Sequence, residues 1–222
     1  LMGVHDSHSR SYTQTGGALV ITAEQKGWTN QEFEEKAAQA ARIKPSEGEV
    51  FLPELLKKAG YVTGQFGKLD WGFTTWHGEL KRHGWDRYVG YMDHQRAHGF
   101  YPSFLWKDGE RLPLEGNTHA DGGKTPENYG PGATEKRRGN RDGKVTYAPD
   151  VMLAETLRFM EENRHKPMFI FFSTNLPHGP VDIPPAENTY AGNPAIHRAY
   201  ADARGGNREC AQAAEEYASM VD

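Results

Sequence analysis

Two short motifs, one in each half of the chain, carry side chains suited to binding and cleaving an anionic ester. One is Phe-Gly-Lys at residues 66–68, and the other is Pro-His-Gly-Pro at residues 177–180. A lysine ammonium is a point charge for sulfate, phosphate or carboxylate. A histidine can stabilise a developing oxyanion or protonate a leaving group near neutral pH. Lys68 and His178 are therefore the candidate catalytic residues, and a surface lysine and a structural loop histidine are the alternatives.

Each motif follows a segment that has the composition of a strand. Residues 52–60 predict a helix, with proline in its first turn and glycine at its end, and residues 61–66 predict a strand. Residues 149–163 predict a second helix, and the apolar run 168–173 predicts a strand buried on both faces. Two such units indicate an α/β fold with a mostly parallel sheet and flanking helices. Because such sheets bind ligands at the carboxyl ends of their strands, both motifs are expected there.

Three further elements and one helix face complete the predicted secondary structure. A helix is expected over 31–42, a hairpin turning at residues 108–109, and a helix from 209 to 221. The apolar side of the helix at 149–163 is expected to consist of Val151, Ala154, Leu157 and Met160.

Residues 69–149 predict a loop-rich, aromatic insertion within one domain that spans residues 1–222. His94 and His98 have the i, i+4 spacing of two metal ligands on one helical turn. Glycines and crowded aromatic residues nearby argue against a long helix, so we expect histidines that line a pocket or are structural, in preference to a metal site.

A polar cluster at residues 117–121 is able to bind sugar hydroxyls, and a solvated turn is its alternative. The cluster offers the side chains of Asn117, His119 and Asp121.

Composition excludes several classes of protein. A net charge of -4 and a pI near 6.2 argue against a general nucleic-acid binder, which carries a basic face. No apolar run approaches the roughly 18 residues of a membrane span. The single cysteine, Cys210, excludes an internal disulfide framework and a multi-cysteine zinc site.

Four segments, in this order, make the chain resemble a sulfatase of the arylsulfatase A type, in the alkaline phosphatase superfamily. Residues 1–5 resemble the segment after the family's Cys-x-Pro-Ser-Arg motif, and residues 52–68 resemble its helix-strand segment ending in Gly-Lys. Residues 168–180 resemble its strand followed by Pro-His-x-Pro, and residues 217–222 resemble the start of its next helix. The resemblance implies part of the amino-terminal catalytic domain of a sulfuric ester hydrolase that acts on a small-molecule or glycan sulfate ester, and a sulfated carbohydrate is the expected substrate.

The same resemblance assigns roles to three residues. Lys68 would bind the sulfate group, and His178 would contact the bridging oxygen and help the alcohol leave. The family continues Gly-Lys-Trp-His, whereas this chain continues Gly-Lys-Leu-Asp. Asp70 would therefore stand where a histidine supports the nucleophile, since a carboxylate can accept the same hydrogen bond. His94, His98 and the polar cluster at 117–121 would contribute to substrate binding.

The resemblance also implies a formylglycine nucleophile, calcium, and a periplasmic or secreted location. The formylglycine would be made from the Cys or Ser of Cys-x-Pro-Ser-Arg, and this motif is absent from the chain. The paired aspartates that hold calcium are expected before Leu1, and the later Asp-Asn pair beyond Asp222. Without these groups the chain alone is expected to be inactive.

Two alternatives stay open at this point. A phosphoester or phosphonate hydrolase of the same superfamily would use the same lysine and histidine for a phosphoryl group. A non-catalytic relic of the sulfatase fold would keep the anion pocket and the aromatic wall, and would bind sulfated glycans without turnover.

Overall fold

The computed structural model describes most of the chain, in six stretches and three single residues before them. These are residues 48–69, 77–92, 96–117, 143–178, 181–203 and 208–222, together with Gly27, Thr29 and Gln31. The predicted helix over 31–42 lies outside the described residues apart from Gln31.

The described residues form one five-stranded mixed sheet with flanking helices. The strands are β1 (Val62–Lys68), β2 (Arg87–Tyr91), β3 (Phe104–Lys107), β4 (Glu110–Pro113) and β5 (Met168–Ser173). The helices are α1 (Leu52–Lys58), α2 (His77–Arg82), α3 (Ala148–Glu162), α4 (Pro194–Ala203) and α5 (Arg208–Val221), with short 3-10 turns at Arg96–His98 and Pro185–Glu187.

The sheet order is β4-β3-β2-β1-β5, and this order confirms the predicted α/β class. Strand β1 pairs in parallel with both β2 and β5, whereas the β2–β3 and β3–β4 pairings are antiparallel. The antiparallel part is the hairpin predicted at residues 108–109, where both turn residues have positive φ, as a tight hairpin requires. The aromatic stretch therefore supplies β2, β3 and β4 to the main sheet, and is more regular than its composition indicated.

Helix α3 covers one face of the sheet, and the segment around Trp85 covers the other. Phe159 of α3 packs on Phe66 and Val89, while Trp85 stacks on Phe169 of β5 with ring centroids 5.7 Å apart. Adjacent strand residues point to opposite faces, so this arrangement gives the sheet a core on both sides.

The predicted apolar face of α3 is wrong for three of its four residues: Val151 is half-buried and packs against the core, whereas Ala154 is exposed. Leu157 and Met160 are exposed, and the buried face carries Met152, Glu155 and Phe159 instead. Glu155 is tolerated there because Lys107 and Arg158 each bring a cation within 2.7 Å of its carboxylate. A hydrophobic pattern cannot predict a buried carboxylate on a helix when its cationic partner, here Lys107, lies on a strand that is distant in sequence.

Strand β5 is also less buried than its sequence predicted. Its residues are half-buried apart from Phe172, which is 40% exposed. Within the described part of the chain, β5 has a neighbouring strand on one side only, so its apolar side chains reach the rim of the sheet.

The carboxyl-terminal helices form a separate packing unit against the end of β5. The predicted helix at 209–221 is confirmed as α5, while α4 falls in a stretch predicted as loop. Ser219 of α5 donates to Asn188 and accepts from the backbone N–H of Tyr190, and Met220 packs against the cluster that contains Tyr147. No described helix is long and apolar enough to cross a bilayer.

Asp86 ties the start of β1 to the turn before β2. Its carboxylate accepts hydrogen bonds from the backbone N–H of Thr63 at 3.0 Å and from the Lys57 ammonium at 2.5 Å. Burial alone would raise the pKa of Asp86, but the Lys57 ammonium and the Thr63 donors outweigh it and hold that pKa below 3.8. The charged carboxylate therefore stabilises the fold.

We predict that Asp86→Asn lowers the free energy of unfolding by about 1–2 kcal/mol at pH 7, because charge-assisted hydrogen bonds are lost. The folded pKa lies below the unfolded one, so the contribution is complete above pH 3.8 and is lost as the pH falls through the folded value. Urea denaturation, followed by tryptophan fluorescence from pH 7 down to pH 3, measures this. The matched control is Glu161→Gln, whose exposed pair with Arg164 should contribute less than about 0.5 kcal/mol. An equal loss in both variants would contradict the account.

Candidate functional site

Lys68 is the last residue of β1, and hydrogen bonds hold its backbone from both sides. On one side, the N–H of Leu69 donates to the carbonyl oxygen of Tyr91 at 2.8 Å. On the other, the hydroxyl of Ser173 donates to the carbonyl oxygen of Lys68 at 2.7 Å and accepts from the Gln65 amide at 2.7 Å. No described carboxylate forms an ion pair with the Lys68 ammonium, so its charge is available to an anion at this edge.

The backbones of β1, β2 and β5 approach closely just before Lys68. Gly67 has φ of 116°, and a Cβ atom there would overlap the carbonyl group of Ser173. A Cβ atom on Gly90 of β2 would in turn overlap the carbonyl group of Gly67. Only glycine allows this approach, and the approach sets where β1 releases the Lys68 side chain.

His178 lies in the loop after β5, at the same edge of the sheet. Its backbone N–H donates to the carbonyl oxygen of Asn175 at 2.9 Å, and the exposed imidazole meets the His98 ring edge-on, with centroids 4.5 Å apart. The amide of Asn175 donates to the carbonyl oxygens of Ala97 and Gly99, at 3.1 Å and 3.3 Å. The loop is thereby fastened to the turn that carries His98.

A buried ion pair fastens the chain beyond His178. The Lys144 ammonium lies 2.5 Å from a carboxylate oxygen of Asp182, and the two side chains are only 3% and 5% exposed. The Lys144 ammonium also faces the Tyr101 ring. Breaking such a pair by removing one partner leaves an uncompensated buried charge. The segment after the Pro-His motif therefore has a fixed path on the protein.

A cavity of about 180 Å³ beside the end of β5 has an acidic lining. Burial raises the pKa values of Asp150 and Glu187, and in Glu187 the negative charge of Asp150 adds to this effect. Burial also raises the pKa of the Tyr147 hydroxyl, which has no hydrogen-bond partner among the described residues. Among the described residues, no basic side chain lines this cavity. Its acidic lining does not favour a sulfate or phosphate group, so Lys68 and His178 stay the candidate residues for an anion.

The chain matches one protein family over almost its whole length. The sulfatase family model covers residues 9–222. The chain belongs to the sulfatase family. The predicted resemblance to this family of hydrolases is confirmed, while the arylsulfatase A subtype stays a prediction.

Three solved structures are similar to this chain to different degrees. A sulfatase from the glycosaminoglycan metabolism of Bacteroides thetaiotaomicron has a TM-score of 0.50 at 16% identity, and the match covers 80% of this chain and 36% of that one. Ps i-CgsB in complex with k-i-k-neocarrahexaose has a TM-score of 0.44 at 17% identity, with coverage of 76% and 35%. BT4656 in complex with its substrate D-glucosamine-2-N,6-O-disulfate has a TM-score of 0.36 at 16% identity, with coverage of 96% and 42%.

The chain spans about two fifths of the length of these sulfatases, or less. No curated protein sequence matches it. The likeness to the Bacteroides thetaiotaomicron sulfatase, at a TM-score of 0.50 and 16% identity, shows the fold alone, and the substrate has to be argued separately.

The predicted site residues of this sulfatase domain fare differently. His98 lies against His178, as a shared site requires, although the substrate-binding role of His98 stays a prediction. Asn117 is buried, and its amide bonds the backbone of residues 102, 145 and 146, so binding a sugar would require it to give up those bonds. Four predicted residues lie outside the described part of the chain. They are Asp70, His94, His119 and Asp121.

Three residues of the site were not predicted from the sequence. Gln65 and Ser173 fix the carbonyl group of Lys68, and Asn175 fixes the loop that carries His178. The sequence offers only weak signals for them, since Ser173 ends β5, Asn175 lies two residues beyond it, and Gln65 is a polar residue in the middle of β1.

The described residues do not fit the metal site that the sulfatase family implies. They contain no group of three or more His, Cys, Asp or Glu side chains that could hold a metal ion. The sequence also lacks the Cys-x-Pro-Ser-Arg motif from which formylglycine would be made. The residues at this edge therefore offer anion binding and proton transfer, and supply neither a calcium site nor the nucleophile.

We predict that Gly67→Ala destabilises the sulfatase domain by about 2–5 kcal/mol, because a positive φ and a backbone overlap act together. The matched control is Gly60→Ala, which also has a positive φ of 88° but open space around a Cβ atom, so it should cost only about 1 kcal/mol. Urea denaturation of both variants measures the difference. Equal losses of unfolding free energy in the two variants would show that the close approach of β1 to β5 is not needed for stability.

Proposed function

We propose that Lys68 and His178 form the sulfate-recognition half of a sulfatase active site. The observation that carries this proposal is their common position: each follows one of two neighbouring parallel strands, β1 and β5, in a domain of the sulfatase family. The unpaired ammonium of Lys68 would balance the negative charge of the sulfate group. Asn175 and His98 would hold His178 beside it.

The chemistry assigned to this chain is binding and proton donation. Hydrolysis of a sulfate monoester adds water across the ester linkage and releases an alcohol and sulfate. The leaving alkoxide needs a proton, and an imidazolium at His178 can supply it to the bridging oxygen. Lys68 would stabilise the charge on the non-bridging oxygens in the transition state. The described residues hold no nucleophile and no metal site, so we expect the chain alone to bind without turnover.

A sulfated carbohydrate is the substrate class that we propose. The sulfatases that share this fold include complexes with a carrageenan-type hexaose and with a glucosamine disulfate. The described site is compatible with such a ligand, because exposed His178 lies at its surface and the cationic Lys68 lies at the end of β1. Calcium and a formylglycine nucleophile would have to come from residues other than the described ones.

The isolated chain should bind a sulfated monosaccharide such as glucosamine 6-sulfate, and Lys68→Ala should weaken binding by at least tenfold, because the compensating charge is lost. His178→Ala should weaken it less, since an exposed imidazole contributes one hydrogen bond. Isothermal titration calorimetry at pH 7 measures the affinities, with exposed Lys58→Ala as the charge-matched control.

Two results would overturn this proposal: equal affinity in Lys68→Ala and Lys58→Ala, or binding that does not depend on the sulfate group when unsulfated glucosamine is used. An assay with 4-methylumbelliferyl sulfate accompanies the titration, and we expect no release of sulfate. Turnover by this chain would show that it holds a nucleophile which our account omits.

The coding sequence on both sides of the chain separates the enzyme from a non-catalytic relic. A flanking Cys-x-Pro-Ser-Arg motif with paired aspartates supports the sulfatase, and a nucleophilic Thr or Ser in that place supports a phosphoester or phosphonate hydrolase. Flanking sequence without either supports a sulfated-glycan-binding relic.

A further inference from the structure

Asn175 is one of the most deeply buried polar residues of the chain. It lies two residues after β5 and is only 1% exposed. Its amide nitrogen donates to two backbone carbonyl oxygens that are distant in sequence, those of Ala97 and Gly99. Its side-chain oxygen is buried and has no hydrogen-bond partner among the described residues. A buried polar atom without a partner costs about 1–3 kcal/mol of folding free energy. The two hydrogen bonds that the amide nitrogen donates must therefore be worth more than the unpaired oxygen costs.

The two carbonyl groups flank a single residue, His98. The His98 side chain is 5% exposed, and its ring meets the ring of His178 at an interplanar angle of 89°. The backbone carbonyl of the same Asn175 accepts the N–H of His178. Asn175 therefore contacts the backbone on both sides of the histidine pair. Its side chain bonds the backbone around His98, and its main-chain carbonyl bonds the backbone N–H of His178.

The network continues to the strand beside Lys68. The carbonyl oxygen of Gly99 also accepts the hydroxyl of Tyr91, at 2.7 Å. Tyr91 is the last residue of β2 and lies directly opposite Lys68 in the β1–β2 register. Asn175 and Tyr91 thus converge on one carbonyl group, which links the histidine pair to the end of the strand that presents the lysine.

We propose that Asn175 is a positioning residue for His178, which it holds edge-on against His98 at a fixed place relative to Lys68. The proposal rests on the function proposed above for Lys68 and His178. His98 serves as the buried wall that sets the plane of the exposed imidazole. Asn175 does not touch the substrate; it acts through the His98 turn and through the amide of His178.

Nuclear magnetic resonance of the 222-residue chain tests the positioning directly. In the unmodified protein we expect a nuclear Overhauser effect between ring protons of His98 and His178, and shifts of the His178 ring on addition of sodium sulfate. Asn175→Ala should abolish the inter-ring effect and weaken sulfate binding about two- to tenfold, the range of one or two lost hydrogen bonds. Asn175→Asp should act in the same direction, because a carboxylate cannot donate to the two carbonyl oxygens.

The matched control is Asn163→Ala. This residue also donates its amide to a backbone carbonyl, that of Phe159, but at the carboxyl-terminal end of α3. The Asn163→Ala variant should be less stable than the unmodified protein, and its inter-ring effect and sulfate affinity should be unchanged. A merely structural role for Asn175 would make the two variants alike.

His98→Ala provides the second variant if Asn175→Ala does not fold. With Asn175 intact, loss of the buried wall should let the His178 ring sample several rotamers, seen as averaged side-chain couplings. Unchanged ring signals of His178 in His98→Ala, or a retained inter-ring effect in a folded Asn175→Ala, would overturn the proposal. Absence of sulfate binding in the unmodified chain would refute the proposed function, while the ring contacts would still report on positioning.

Discussion

The parallel pairing of β1 with β2 and β5 is the constraint on which the site depends. It brings the ends of β1 and β5 to one edge of the sheet, where Gly67 lies opposite both Ser173 and Gly90. The backbones come so close there that any side chain on Gly67 would displace a carbonyl group. Hydrogen bonds from Ser173 and to Tyr91 then fix the chain on either side of Lys68. A flexible lysine thus projects from one of the most rigid points of the sheet.

The chain after β5 is fixed by polar contacts because its backbone leaves the sheet. Asn175 fastens it to the turn that carries His98, and the buried pair of Lys144 and Asp182 fastens the segment beyond the Pro-His motif. Electrostatics separate this site from the nearby cavity, in which Asp150 and Glu187 concentrate negative charge. In the proposed site, the positive charge of Lys68 would attract an anionic ester more strongly than this acidic cavity would.

Local sequence signals were sufficient where the structure depends on neighbours in the chain. Proline at the start and glycine at the end delimit α1, and β-branched and aromatic residues mark β1. The face of α3 was predicted incorrectly because its buried residues include Glu155, whose cationic partner Lys107 lies on β3. The exposure of β5 depends on which strands stand beside it, and its own apolar sequence does not record that.

The sequence likewise predicted some residues of the candidate site and missed others. Lys68 and His178 were visible as short motifs after strands, and the sulfatase resemblance gave them roles. Gln65, Ser173 and Asn175 were not visible, because each acts on a residue that is distant in sequence or on a backbone group. Such contacts follow from the strand register, which no single-sequence pattern specifies.

Whether Lys68 and His178 bind one anion together is the central claim, and selenate tests it most directly. Selenate is a tetrahedral analogue of sulfate, and its selenium atom is located by anomalous scattering in crystals of the chain soaked at neutral pH. The account predicts one anomalous peak whose oxygen atoms lie about 3 Å from the Lys68 ammonium and from a ring nitrogen of His178. A peak that contacts only one of the two residues, or the absence of a peak at this edge, would contradict it.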